Sequence, residues 1–70
     1  MKSLEKRYLK IKNLNPYWSS YISFCEAIRG QNFSDKIISF WFNKLVDKND
    51  YSFKEKKEVL KHLKDLTELN

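Results

Sequence analysis

These 70 residues contain a single cysteine, a single glycine, a single proline and a single histidine. The lone Cys25 excludes an intrachain disulfide, which makes a reduced, cytoplasmic setting the expectation. One glycine leaves no Gly-rich loop to cradle a phosphate. No Cys/His cluster has the spacing of a metal site. No apolar run approaches the roughly 18 residues that span a bilayer, so no membrane span is expected. Charges at Lys2, Glu5, Lys6 and Arg7 break up the first residues, which therefore do not read as a signal peptide. The only histidine, His62, sits beside Glu58 at the edge of an apolar stripe with no nucleophile or orienting partner, so neither an enzyme nor a cofactor is expected. Cys25 falls within an apolar arc and reads as an inert core thiol.

What is plentiful is aromatic side chain, 16% of the residues. A chain of this length makes one small domain with a modest core, and bulky rings can fill it without metal or disulfide. The net charge is +5 and the pI about 9.4. Residues 1–12 alone carry +4, from Lys2, Lys6, Arg7, Lys10 and Lys12 against Glu5, while residues 13–53 balance. The basic excess is therefore local, and it favours an anionic partner or serves solubility.

Four helices are predicted, an all-α compact domain. Ser3 can cap a first helix carrying Leu4, Tyr8 and Ile11 at helical spacing, although Leu9–Lys12 also alternates like a strand. Asn15-Pro16 predicts the start of a second helix, with Asn as cap and Pro at the first position. Its broad face would be Tyr17, Trp18, Tyr21, Ile22, Phe24, Cys25 and Ile28, its remainder Ser19, Ser20, Ser23, Glu26 and Ala27. Gly30 is the expected left-handed stop. Ser34 caps a third helix, Asp35 complements its dipole, and Phe33 and Ile38 can staple its entry. Its buried face is predicted as Ile37, Ile38, Trp41, Phe42, Leu45 and Val46. Asp47–Asp50 reads as a turn. Ser52-Phe53-Lys54-Glu55 fits a capping box, opening a fourth helix to about Leu69 with Phe53, Val59, Leu60, Leu63 and Leu66 as its stripe and Lys57, Lys61 and Lys64 toward water.

Phe40 stands apart. It falls on the polar side of the third helix, among Lys36, Ser39, Asn43 and Lys44. An aromatic in such company can touch a thymine methyl, stack on a base, or anchor a protein partner. The second and third helices have the layout of a helix-turn-helix. Phe33-Ser34-Asp35, Ile38 and Trp41-Phe42 resemble the start and core of the homeodomain third helix over about ten residues, with a looser echo in Phe24, Ala27 and Ile28. The resemblance implies that Trp41 and Phe42 face the core and that Phe40 and Asn43 point toward a major groove. The pattern departs from the family in two places. Lys44 stands where the family has its invariant Asn, and Leu45-Val46-Asp47 replaces its basic run, so the chain is not a homeodomain.

Two functions follow as expectations. One is nucleic-acid binding through residues 35–46, with Lys36, Ser39, Phe40, Asn43 and Lys44 presented to the target and Lys6, Arg7, Lys10 and Lys12 holding phosphates. The other is a protein-interaction module, an adaptor or inhibitor, anchored by Phe40, Tyr51 or the Tyr17/Trp18 pair and steered by charge. The generous apolar supply also makes a homodimer plausible.

Overall fold

A computed structural model of the chain describes residues 3–51 and 56–68. Over these residues it is all-α, with no strand: α1 (Leu4–Leu14), α2 (Ser20–Ile28), α3 (Asp35–Leu45), a single 3-10 turn (Lys48–Asp50) and α4 (Lys56–Thr67). The predicted four-helix architecture is the observed one, and the helical option holds for the first segment. The capping box at Ser52–Glu55, the placement of Phe53 and the end at Leu69 lie outside the described residues.

Three helices begin in the same way. The hydroxyls of Ser3, Ser19 and Ser34 accept hydrogen bonds from the backbone N–H groups of Lys6, Ile22 and Ile37, satisfying one orphan donor each. Gly30 closes α2 with φ of 67°, where a Cβ would be strained. Its N–H donates to Leu66 O at 3.1 Å, so the α2–α3 turn also caps the last turn of α4.

The start of α2 differs from its prediction. Asn15 closes α1 instead of opening the next helix: its N–H and its Nδ2 both donate to Ile11 O, at 2.9 and 3.1 Å. Pro16 and Tyr17 form a turn in which Trp18 N–H donates to Asn15 O at 3.0 Å. The Lys12 ammonium donates to the carbonyls of Pro16 and Trp18, which pins this turn against α1. Ser19 then takes the cap, and the helix starts at Ser20. As a result Tyr17 is 98% exposed and Trp18 also lies open, off the helical face assigned to them.

The buried arc of α2 is Ser23, Phe24, Ala27 and Ile28. Ile22 lies nearly opposite the middle of that arc at 100° per residue and is exposed. The prediction had Ile22 inside and Ser23 outside, because it weighed residue type above phase. Ile37 of α3 is likewise 43% exposed rather than buried.

α2 and α3 form the centre, each packing against the other three helices. The core consists of Leu4 and Tyr8 from α1, Phe24, Ala27 and Ile28 from α2, Ile38 and Phe42 from α3, and Val59 and Leu63 from α4. Rings run through it in contact: Phe24 meets Phe42 edge-on at 5.7 Å, and Phe42 meets Tyr51 at 5.2 Å. Tyr51 meets Tyr21 at 5.9 Å. Such pairs add to the stabilisation from burial. Leu60 and Leu66 pack at the edge of the core, Lys57 and Lys61 are exposed, and Lys64 reaches Asp35 at 3.4 Å.

A polar clamp ties the 3-10 turn to α2 across thirty residues. The Asp50 carboxylate accepts from the backbone N–H and the hydroxyl of Ser20, and Ser20 Oγ accepts from Asp47 N–H at 2.8 Å. The carboxylate sits at the N-terminus of α2, where helix polarity favours an anion. The Ser20 hydrogen bonds, with Lys12 nearby, hold the Asp50 carboxyl below its ordinary 3.8.

Three expectations follow from this packing. Phe42→Ala should cost roughly 3–5 kcal/mol in urea unfolding; a cost under about 1 kcal/mol would mean the ring is not central. Ser23 Oγ is buried with no hydrogen-bond partner among the described residues, so Ser23→Ala should leave the urea midpoint unchanged or raise it. A clear loss would reveal a bond to that hydroxyl. Because the Asp50 pKa is depressed, its contribution is fully present above its ordinary value and is lost as pH falls through the folded value. The stability gap between the wild type and Asp50→Asn should be constant near neutrality and close below pH 3.8. A gap that persists unchanged into acid would contradict the clamp.

Candidate interaction surface on the third helix

Phe40 and Phe42 are two residues apart on one helix, so they project about 200° from each other. With Phe42 1% exposed in the core, Phe40 must face away, and it is 51% exposed. Its ring is nonetheless held. Its centroid lies 5.0 Å from that of Trp41 at an interplanar angle of 87°, an edge-to-face contact. Lys44 Nζ sits 5.0 Å from the Phe40 centroid, a cation over the face of a ring.

Ile37 stands one turn before Phe40 and Trp41. Together these three make an apolar stripe at i, i+3 and i+4 on the outside of α3, with Trp41 partly buried against the core. Lys36, Asn43 and Lys44 are exposed around it. Ser39 belongs elsewhere. It is half-buried and lines a cleft of about 720 Å³ between α3 and α4, with Ile38, Leu60 and Lys64. Tyr51, a suggested anchor, is likewise turned inward onto Tyr21 and Phe42.

The acids at the two ends of α3 are both engaged. Asp35 pairs with Lys64 at 3.4 Å. Asp47 accepts from Asn49 N–H at 2.8 Å and caps the 3-10 turn. The outer stripe thus has lysines at its rim while its acids are occupied.

The basic residues of α1 divide into two kinds. Lys6 and Lys10 are exposed. Arg7 donates its Nε–H to Ala27 O at 2.7 Å, capping the end of α2, and Lys12 holds the Pro16–Trp18 turn. Lys6, Arg7 and Lys10 line one groove with Ile11 and Leu14. Among the described residues no member of the α3 group lines that groove, so the α1 and α3 groups form two surfaces.

Burial raises the Cys25 thiol above its ordinary pKa, against a smaller opposing effect of the neighbouring Tyr21, so it is a poor nucleophile. Burial, with Cys25 beside it, also pushes the Tyr21 phenol up. Among the described residues no three His, Cys, Asp or Glu side chains gather as metal ligands, and no helix is long and apolar enough to cross a membrane.

No protein-family model, curated protein or solved structure matches this chain. The site must therefore be read from its own geometry. Sequence reasoning found Phe40 from phase alone. It missed Ile37, which it placed inside, and so missed that the exposed ring belongs to a stripe.

Proposed function

We propose that this chain is a non-enzymatic protein-interaction module that binds its partner through the outer face of α3. The observation carrying this reading is the outer stripe of exposed Ile37 and Phe40 with half-buried Trp41, inside a rim of Lys36, Asn43 and Lys44. Single exposed apolar residues are ordinary, but a contiguous set on one rigid helix is a binding feature. An aromatic centre with a polar rim is the anatomy of an interaction hot spot. The contacts of Phe40 with Trp41 and Lys44 favour it further, because a ring already fixed loses little entropy on binding.

Nucleic-acid binding is the second reading. It is favoured by the net +5 charge and by Lys36 and Lys44 beside Phe40 and Asn43. It ranks lower because affinity for nucleic acid rests mainly on phosphate contacts. Of the four α1 groups suited to that role, Lys12 spends its ammonium on two backbone carbonyls, and Lys6, Arg7 and Lys10 line a groove that no residue of the α3 group shares. Lys44 also takes up one face of the ring that a base would stack on. The helix-turn-helix layout of α2 and α3 and the homeodomain-like residues of α3 belong to this second reading.

Affinity capture from lysate of the source cells, run with and without nuclease treatment and with wild type and Phe40→Ala as paired baits, tests the proposal. A defined protein should be retained by the wild type at moderate salt and lost with Phe40→Ala, whose stability falls by less than about 1 kcal/mol. Retention of nucleic acid alone, in a form that added salt removes, would replace the first reading by the second.

A further inference from the structure

The groove on α1 is a surface separate from the α3 stripe, and its chemistry is one-sided. Lys6, Arg7 and Lys10 stand along it, Ile11 and Leu14 supply its apolar part, and its volume is about 400 Å³. Among the described residues no acidic side chain lines it. Arg7 is fixed there by its Nε–H bond to Ala27 O, while its terminal nitrogens have no hydrogen bond among the described residues. Lys6, Lys10 and Leu14 recur every four residues, so they form a rail about 12 Å long on one side of the helix.

Exposed apolar residues follow the rail along the chain. Leu14 is 71% exposed and leads into the turn carrying Tyr17 and Trp18; Ile22 follows in the first turn of α2. This turn is built rather than slack. Lys12 bonds to two of its carbonyls, Asn15 closes α1 behind it, and the Ser20–Asp50 clamp holds its far end. A chain that fixes its turn this firmly while leaving Tyr17 almost wholly in water displays that side chain from a backbone that need not be ordered on binding.

The geometry points to this surface as a docking site for an acidic amphipathic segment of a partner protein. Acids spaced along such a segment would meet Lys6, Arg7 and Lys10, and its apolar side would cover Leu14 and Tyr17. Charge complementarity selects this occupant. A second copy of the chain would bring the same rail against itself in a two-fold interface, placing lysine against lysine. The inference does not depend on the α3 stripe, since the two surfaces share no residue.

The test is an NMR titration of the ¹⁵N-labelled full chain with synthetic amphipathic peptides of about 14 residues, long enough to span about 20 Å as a helix. One peptide carries Glu on its polar side and Leu on the other; a second has Lys for Glu; a third is the Glu peptide in scrambled order. The Glu peptide should give saturable shifts at Lys6, Lys10, Leu14 and Tyr17, with the α3 stripe unmoved. The double variant Lys6→Glu, Lys10→Glu should lose at least tenfold in affinity for the Glu peptide and gain binding of the Lys peptide. That swap cannot come from misfolding, and wild-type-like amide dispersion in the variant confirms it. The inference is overturned if the scrambled peptide binds equally well or if shifts fall only on α3. It is also overturned if the same residues respond to phosphatidylserine vesicles, or to self-association on concentration, and not to the Glu peptide. Loss of the α3 capture alone would sink the proposed function and leave this surface standing.

Discussion

One angular constraint governs the molecule: positions two apart on an α-helix face nearly opposite ways. α3 spends this constraint on two identical side chains. Phe42 goes into the centre, where Phe24 and Tyr51 pack on it. Phe40 is thereby carried to the far side, where no other helix contributes a ring contact among the described residues. Rotating α3 to cover Phe40 would pull Phe42 out of the core and abandon its packing with α2. The exposed ring is thus fixed by the burial of its neighbour, and local contacts with Trp41 and Lys44 hold it in place.

Around that centre, polar contacts decide where each helix begins and ends. Serine hydroxyls open α1, α2 and α3. Gly30 in its left-handed conformation turns the chain and reaches the end of α4. Asp50 sets the start of α2 from thirty residues away. These bonds place charge as well as backbone. Lys12 spends its ammonium on securing the first turn and Arg7 gives its Nε–H to the end of α2, so Lys6, Lys10 and the terminal nitrogens of Arg7 remain as the outward charge of α1. Net charge alone therefore overstates what is available to a partner.

Much of this was legible in the sequence. Helix number, the Ser3 and Ser34 caps, the Gly30 stop and the phase of α3 are local properties, and each can be read from spacing or from one residue's backbone preference. The start of α2 was not. Asn15-Pro16 suits a helix start as well as a helix end, and the choice is made by Lys12 and Asp50, whose contacts across the turn no local pattern reveals. The paired serines Ser19-Ser20 were the available signal, since serine is as good a cap as asparagine. Ile22 and Ser23 were exchanged because a β-branched apolar residue was assumed to be inside. Phase, set by Phe24 and Ile28, puts the serine there and leaves its hydroxyl without a partner among the described residues. The same assumption hid Ile37, and with it the stripe that makes Phe40 part of a surface.

The most direct test is to place 4-fluorophenylalanine at position 40 or 42 in separate samples and add a soluble paramagnetic gadolinium chelate. The ¹⁹F signal at position 40 should relax rapidly with added chelate, while that at position 42 stays protected until the protein unfolds. Equal protection of both rings, or the reverse order, would contradict the inward–outward division on which the proposed surface stands.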